Sequence, residues 1–534
     1  MITIRDHQTG DLFDPWDHLG EKRRRLLERS WAGVFREHLL AHLPVGELAT
    51  RFSRQLGRPT KDFHTVIGAL ILQQLHDLTD AATVEAVAFN LTWHYALDIR
   101  AESDAYLCER TLRTYRQLLV EKGLDQVLFR SLTDRLIKAV GADTGKQRLD
   151  STAIRSAMRG LTRLGIIVES ISKFLRELRR VHPALHAQVD PDLVRKYVDR
   201  EGNGCFASTK PSESKRRLPE AAADLLVLVT QFRETAAAEI ESFLILTRVL
   251  SEQCEVVNDP GVGARVRVKE PDEMTCDNVL NPADPDATYN KHRGVGYLVQ
   301  VMETYCDVEQ EPTGNAPASP PDLITHVAVG PMNVHDGSSL EPALADAEAR
   351  GIKPKVVLAD SHYGSNENLE KASVQGVEVV SPSMPPKGSK QEKLTLEHFE
   401  LDGDGRVVRC PQGHEPVMTS VGGDKIQVLF DAATCAACPL HQSCCASAVD
   451  RKEPRHQYTH ARVRQRARRL GDASDAFRDR YRWRAGIEGT MSRFKYQMGM
   501  ASLRIRGRVA VGYVTFLRAL GLNIHRVAAY KAAG

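Results

Sequence analysis

The chain has no long apolar run. Its longest uninterrupted stretches, such as "VIGALIL" at Val66 to Leu72, stop far short of the ~20 residues a membrane helix needs, so no membrane span is expected. The opening residues "MITIRDHQTGDLFDPW" lack the basic flank and apolar core of a signal peptide, and a cytoplasmic location is the expectation. Cysteine is scarce: ten residues in 534 are too few for a disulfide framework. Net charge is small as well, at +3, and says little until it is divided along the chain.

What is present is unevenly placed. Hydrophobic residues make up 42% of the chain, enough for several cores, and at roughly 150 residues per domain the length suggests three or four units. Five of the cysteines, Cys410, Cys435, Cys438, Cys444 and Cys445, fall within 36 residues, a clustering that points to a metal. Between Arg451 and Arg508 there are 17 Lys and Arg against 5 Asp and Glu, so this stretch carries +12 and the remainder −9. A solvated charged helix is the ordinary explanation of such a run. Arginine outnumbers lysine 15 to 2 here, which favours phosphate contact and a polyanion as partner.

Residues 1–140 read as a helical domain, with apolar residues at i, i+3, i+4 spacing through Asp62 to Leu78, Ala81 to Leu91 and Glu109 to Lys122. Arg110, Arg113 and Arg116 share nearly one helix face, which suits either DNA or solvent. At Lys146 the pattern changes to a short strand, "KQRLDSTAI", followed by a helical insertion over 153–289. Strands return at Gly296 to Cys306 and Leu323 to Gly330, around a Pro-rich tip, and "KVVLAD", a helix and "VEVVSP" make a parallel unit. The expected α/β core is a mixed sheet of about five strands over 145–152 and 290–382. A cysteine-rich insertion over 387–460 and C-terminal helices over 461–534 complete the chain.

Three carboxylates stand out. Asp360 ends an apolar strand, so its side chain should emerge at the sheet's carboxyl edge, where open α/β sheets bind ligands; a turn-forming Asp is the plain alternative. Asp150 lies in a weaker strand, where an unpaired carboxylate needs a compensating cation, although "DST" also suits a helix start. Glu488 sits in "YRWRAGIEGTMSRFKYQMG": at about 100° per residue, Tyr481, Arg484, Glu488 and Lys495 form one stripe about 60° wide, and Ile487, Met491, Phe494 and Met498 form a separate apolar face. An Arg484–Glu488 surface pair is the bland reading of that stripe. Asp286 and Asp336 also neighbour the strands and rank below Asp150 as alternatives, and His335 and His362 read as local hydrogen-bonding groups. Three carboxylates with no required thiol or imidazole describe a hard-cation site for Mg²⁺ or Mn²⁺, and two such ions can drive in-line displacement at a phosphodiester. In the cysteine segment, Cys435-x₂-Cys438 with Cys410 and Cys444 would make a tetrahedral Cys₄ site for structural Zn²⁺; Cys445, His414 and His441 remain substitutes, and unliganded thiols the alternative.

On these residues the chain resembles bacterial insertion-sequence transposases of the DDE class. It matches their Y-x₂-R-x₃-E-x₆-K signature at Tyr481, Arg484, Glu488 and Lys495, and their "AD-x-x-Y-x-S" context at Asp360, Tyr363 and Ser365. The first aspartate of the class maps to Asp150, and "DPDATYNKHRGVGY" and "NVHD" extend the likeness. The resemblance implies a ribonuclease-H-like catalytic core that hydrolyses DNA at transposon ends with two divalent metals and joins the freed 3′-hydroxyl to target DNA. It implies Asp150, Asp360 and Glu488 as catalytic metal ligands, with Arg484 and Lys495 on the transposon end and Tyr481 in support. Arg493, Arg504 and Arg506 join them as expected DNA contacts. The expected partners are double-stranded DNA, as terminal inverted repeats and target, and further copies of the chain, so that the protein works as a nucleoid-associated dimer or higher oligomer. A metal-dependent nuclease without strand transfer, and a catalytically lapsed DNA-binding relative, are the rival functions.

Overall fold

The computed structural model describes residues 2–7, 9, 14–53, 59–158, 160–199, 211–259, 263–308, 319–386, 393–446 and 454–533. Ten residues of the Pro-rich tip, 309–318, lie outside this set, as do 387–392 and 447–453.

Strand β1 (Lys146–Arg155) enters the sheet directly after the helix Leu124–Val140. It gives way to the insertion, whose helices Arg163–Val181, Pro211–Phe232 and Glu241–Gln253 enclose a core of their own around Leu175, Leu225 and Leu246. The insertion is not wholly helical. It closes with an antiparallel hairpin, β2 (Cys254–Asp259) and β3 (Gly263–Val268), whose β-branched residues and cross-strand Arg267–Glu255 pair suit a ladder better than a helix. The main sheet resumes with β4 (Thr288–Asn290), β5 (Gly294–Thr304), β6 (Ile324–Pro331), β7 (Val356–Ala359) and β8 (Glu378–Val380).

Strand β5 runs antiparallel to β1, β4 and β6, whereas β7 lies parallel to β1 and β8 parallel to β7. The sheet therefore reads β6-β5-β1-β7-β8, three antiparallel strands followed by two parallel ones, with β4 sharing the β5 edge. The sequence pattern suggests a mixed sheet of about five strands, and the structure has six. Helices Leu340–Ala349 and Asn366–Val374 supply the crossovers of the parallel half.

One continuous core joins the N-terminal helices, the sheet and the last helix, Arg508–Ala533. Every residue of the helix Phe63–Leu75 is buried, which explains why its apolar run is both intense and short. Among the described residues no helix is long and apolar enough to cross a membrane. On the helix Glu109–Glu121, Arg116 is drawn inward to Asp80 and Gln73 while Arg113 meets Glu109, so this face is at least partly structural.

The cysteine segment folds around its own small core of Phe399, Ile426, Val428 and Tyr458. It contains the pair β9 (Glu400–Leu401) and β10 (Val407–Arg409), and a sheet of β11 (Met418–Gly422), β12 (Lys425–Leu429) and β13 (Arg455–Thr459).

Candidate active site

The register of the two central strands brings two of the carboxylates together. Leu149 pairs with Ala359 as the last rung between β1 and β7, so the next residues, Asp150 and Asp360, stand side by side where the parallel strands part. Asp150 is buried; its Oδ1 accepts the Ser151 amide at 2.8 Å. The Asp360 carboxylate accepts the His362 amide at 2.9 Å, and its carbonyl accepts the Ser381 hydroxyl at 2.6 Å, which pins the strand end.

A third carboxylate belongs to this face. Asp336, ranked below Asp150 from sequence, is buried and held by Arg293, whose Nη1 donates to Oδ1 at 2.9 Å; the same guanidinium reaches Ser151 Oγ at 3.5 Å. Asp286, the other alternative, is not at the site: it accepts the Arg508 amide at 3.0 Å, at the start of the last helix. Buried Tyr363 donates to Gln300 Oε1 at 2.6 Å, and burial together with Asp336, Asp150 and Asp360 pushes its phenol well above its ordinary range. Burial raises the Asp150 carboxyl; Arg484 and the Ser151 amide oppose the rise, and Asp360 and Asp336 add to it. Burial acts the same way on Asp336 and is the largest single influence, but the hydrogen bonds from Arg293 and Ser151 and the charges of Arg293 and His362 together hold that carboxyl below its ordinary range. Converging carboxylates are the donor set a divalent cation neutralises.

Glu488 approaches from a different element. The sequence suggests one regular helix from Tyr481 to Met498, and the structure corrects this: Asp475–Tyr481 is α-helical, Arg482–Ala485 tightens to a 3₁₀ turn, Gly486–Ser492 is α-helical again, and Arg493–Gln497 widens to a π turn. The break at Gly486 has a local cause. Arg148 presses against it, leaving no room for a Cβ, and donates through Nη1 to the Trp483 carbonyl at 2.8 Å. Arg484 then bridges the two halves of the site, with Nη2 on Asp150 Oδ2 at 2.6 Å and Nη1 on Glu488 Oε1 at 2.7 Å. Glu488 is mostly exposed, its side chain 67% accessible. Burial lowers the Lys495 ammonium, with Arg155 adding to the fall and Asp150 opposing it, so this lysine also neighbours the acidic centre. Tyr481 stacks on Phe477 with ring centroids 5.5 Å apart, packed against Leu358 and Val380.

The remaining cations expected on DNA are dispersed. Arg493 is exposed beside Lys495. Arg504 reaches Asp77 at 3.3 Å, and with Arg506, Arg113, Arg116 and Arg518 it lines a cleft of about 670 Å³ between the N-terminal helices and the last helix.

Beneath the site lies a network that no motif announces. Glu303, fully buried on β5 opposite Arg148, accepts Arg148 Nε at 2.8 Å, Thr490 Oγ1 at 2.7 Å and Arg526 Nη1 at 2.9 Å. Arg148 and Asp150 lie on one face of β1, and Thr490 shares a short helix with Glu488. Glu303 therefore ties the helix that carries Glu488 to the strand that carries Asp150. The legible signal was Arg148 two residues before Asp150; its partner lies 155 positions away.

In the cysteine segment, Cys410, Cys435, Cys438 and Cys444 line one cavity of about 380 Å³ with His414 and His441. None of these thiols is joined in a disulfide. Burial raises the Cys435 thiol, and Cys444, Cys410 and Cys438 add to the rise. Cys445 faces elsewhere, 3.8 Å from His456 Nε2, and burial pushes its thiol up to about 12. Among the described residues, only His7, Asp62 and His64 bring three ligand atoms within 4.8 Å of one another, so both the acidic and the thiol groups stand wider than a closed cage around one ion.

Residues 409–528 match the family model described as "Transposase DDE domain", and residues 25–118 match "Transposase domain (DUF772)". No curated protein and no solved structure matches the chain. The first segment contains Tyr481, Arg484, Glu488, Lys495 and the clustered cysteines; Asp150 and Asp360 lie outside both. A DDE domain implies a ribonuclease-H-like fold, divalent metals and DNA as partner, and the two matches together support an insertion-sequence DDE transposase family for this chain.

Proposed function

We propose that this chain is a DNA transposase that binds transposon ends, hydrolyses a phosphodiester there and joins the freed 3′-hydroxyl to target DNA, acting in the nucleoid as a dimer or higher oligomer. One observation carries the reading: Asp150 and Asp360 stand side by side on adjacent parallel strands, linked to Glu488 through Arg484. Asp150, Asp360 and Glu488 would hold two Mg²⁺ or Mn²⁺ ions, which when bound activate water and then the 3′-hydroxyl and stabilise the leaving oxygen.

The chain's own residues do the rest. Ser381 and the His362 amide fix Asp360, while Tyr363 and Gln300 close the floor against water. Arg484, released from its two carboxylates, is placed to grip the phosphate next to the scissile bond, with Lys495 beside it. Tyr481 holds the turn that carries Arg484, and Arg493, Arg504 and Arg506 extend the cationic track. Cys410, Cys435, Cys438 and Cys444 line one cavity and would close on one structural Zn²⁺ by drawing together from their wider spacing.

The test uses purified protein, Mg²⁺, a target plasmid and linear DNA carrying the sequences that flank the coding region. Cleavage at discrete ends and joining to the plasmid are expected. Asp360→Asn should lower both by at least ~10²-fold while end binding persists. Cleavage with no joining favours a nuclease. Undiminished cleavage by Asp360→Asn removes Asp360 from the chemistry.

A further inference from the structure

A second metal site stands apart from both the acidic centre and the cysteines. We propose that His7, Asp62 and His64 bind a divalent transition metal of the zinc class and so fasten the N-terminal segment to the first long buried helix.

The backbone prepares the group. Asp62 is the N-cap of the helix Phe63–Leu75, accepting the Thr65 amide at 3.0 Å, which sets His64 on its first turn. The N-terminal segment lies across this helix start: Thr3 donates to Thr60 Oγ1 at 2.9 Å and the Arg5 amide to Asp62 Oδ1 at 3.0 Å, which brings His7 over Asp62. All three side chains are more than nine-tenths buried.

The spacing is wrong for hydrogen bonds and right for coordination. His7 Nε2 is 3.9 Å from Asp62 Oδ2, and His64 Nδ1 is 3.7 Å from Asp62 Oδ1, both beyond hydrogen-bond range. Both nitrogens are buried with no hydrogen-bond partner, a costly state for two polar atoms. An ion with bonds of ~2.1 Å spans ligand separations up to ~4 Å, so one cation between the three residues satisfies both nitrogens at once. Asp62 Oδ2 accepts both the Thr65 amide and the Thr65 hydroxyl at 3.0 Å, whereas Oδ1 accepts the Arg5 amide and keeps a lone pair for the ion.

A second carboxylate stands behind His7. Its other nitrogen, Nδ1, is 3.6 Å from Asp98 Oδ2, just beyond direct hydrogen-bond range, and Asp98 is held by Arg36 at 2.8 Å, Arg100 at 2.6 Å and Trp16 Nε1 at 3.3 Å. A protonated His7 between Asp62 and Asp98 is the competing arrangement, and it leaves His64 Nδ1 unsatisfied. Two imidazoles and one carboxylate suit Zn²⁺ rather than Mg²⁺.

The experiment is elemental analysis of the full chain after growth with zinc and exhaustive dialysis, on wild type, His7→Gln and His64→Gln. Each variant is expected to carry one zinc equivalent fewer than wild type, whatever the cysteines hold. Cobalt substitution gives a second readout in the wild type itself, so a variant that fails to fold does not decide the matter. Imidazole and carboxylate ligands give visible ligand-field bands without the thiolate charge transfer of a cysteine site. Equal zinc in all three proteins, or wild-type cobalt bands of thiolate character only, overturns the proposal.

Discussion

The acidic centre has two halves built in different ways. Asp150 is set by a strand, Asp360 by a strand end and Asp336 by the 3₁₀ turn Asp336–Ser339 that follows β6, and the β1–β7 register alone makes the first two neighbours. Glu488, Arg484 and Lys495 ride on a helix that changes winding three times between Tyr481 and Gln497 and reaches the sheet through side chains: Arg148 on the Trp483 carbonyl, and Thr490 on Glu303. Backbone ladders fix position rigidly, because a one-residue slip would turn every side chain of the strand to the other face. Side-chain networks can be loosened one partner at a time. The strand half should therefore behave as a preformed platform, and the helix half as an adjustable arm.

The strongest way to break this comparison is to cut the arm loose. Glu303→Ala leaves Arg148 and Arg526 buried without their shared carboxylate, and the expected loss is about 3–5 kcal/mol of stability in chemical denaturation. If the folded variant keeps its sheet, cleavage should still fall by ~10²-fold, from misplacement of Glu488, with end binding largely retained. Normal cleavage in a destabilised variant would mean that the network serves stability alone.

A smaller effect separates two carboxylates within the strand half. Asp150 is raised in the folded state, so its stabilising contribution is complete below its unfolded pKa and is lost as pH rises through the folded value. Asp336 is lowered, so its contribution is present above its unfolded pKa and is lost as pH falls through the folded value. In chelator at neutral pH, Asp150→Asn should melt no lower than wild type and Asp336→Asn should melt lower, on the order of 1 kcal/mol apart. Both differences should fade as pH falls through the carboxylate range. Divalent metal should then stabilise wild type more than Asp150→Asn. Melting curves in which the two variants shift alike would erase the distinction.

The smallest expected effect concerns the arm's cations. Arg484→Ala and Lys495→Ala should each reduce the salt dependence of end binding by about one unit of slope, if each meets one phosphate. Arg484→Ala should also free Glu488 and Asp150 of their shared partner and alter the Mg²⁺ concentration needed for cleavage, an effect Lys495→Ala lacks. Unchanged slopes in both variants would leave Arg484 as an internal bridge only.

Local patterns made parts of this protein readable. The apolar run before Asp360 announces a strand end, and the clustered cysteines announce a shared pocket, because burial and turn chemistry act over a few neighbouring residues. The stripe of Tyr481, Arg484, Glu488 and Lys495 is legible for the same reason, although the real helix tightens and then widens around Gly486. The hairpin β2–β3 escaped notice inside a stretch that reads as helix, since two short strands give a weak period beside three strong amphipathic helices.

By itself the sequence determined which residues carry charge, which elements are amphipathic and where thiols and cations gather. Only the tertiary structure decided which of them meet. Asp150 faces Asp360 because β1 and β7 pair in one register; Asp286 serves the start of the last helix while Asp336 joins the acidic face; and Arg148 finds Glu303 across 155 positions. Alternation along a strand says which face a residue takes. It does not say which distant strand will lie beside it, because that choice belongs to the packing of the whole core.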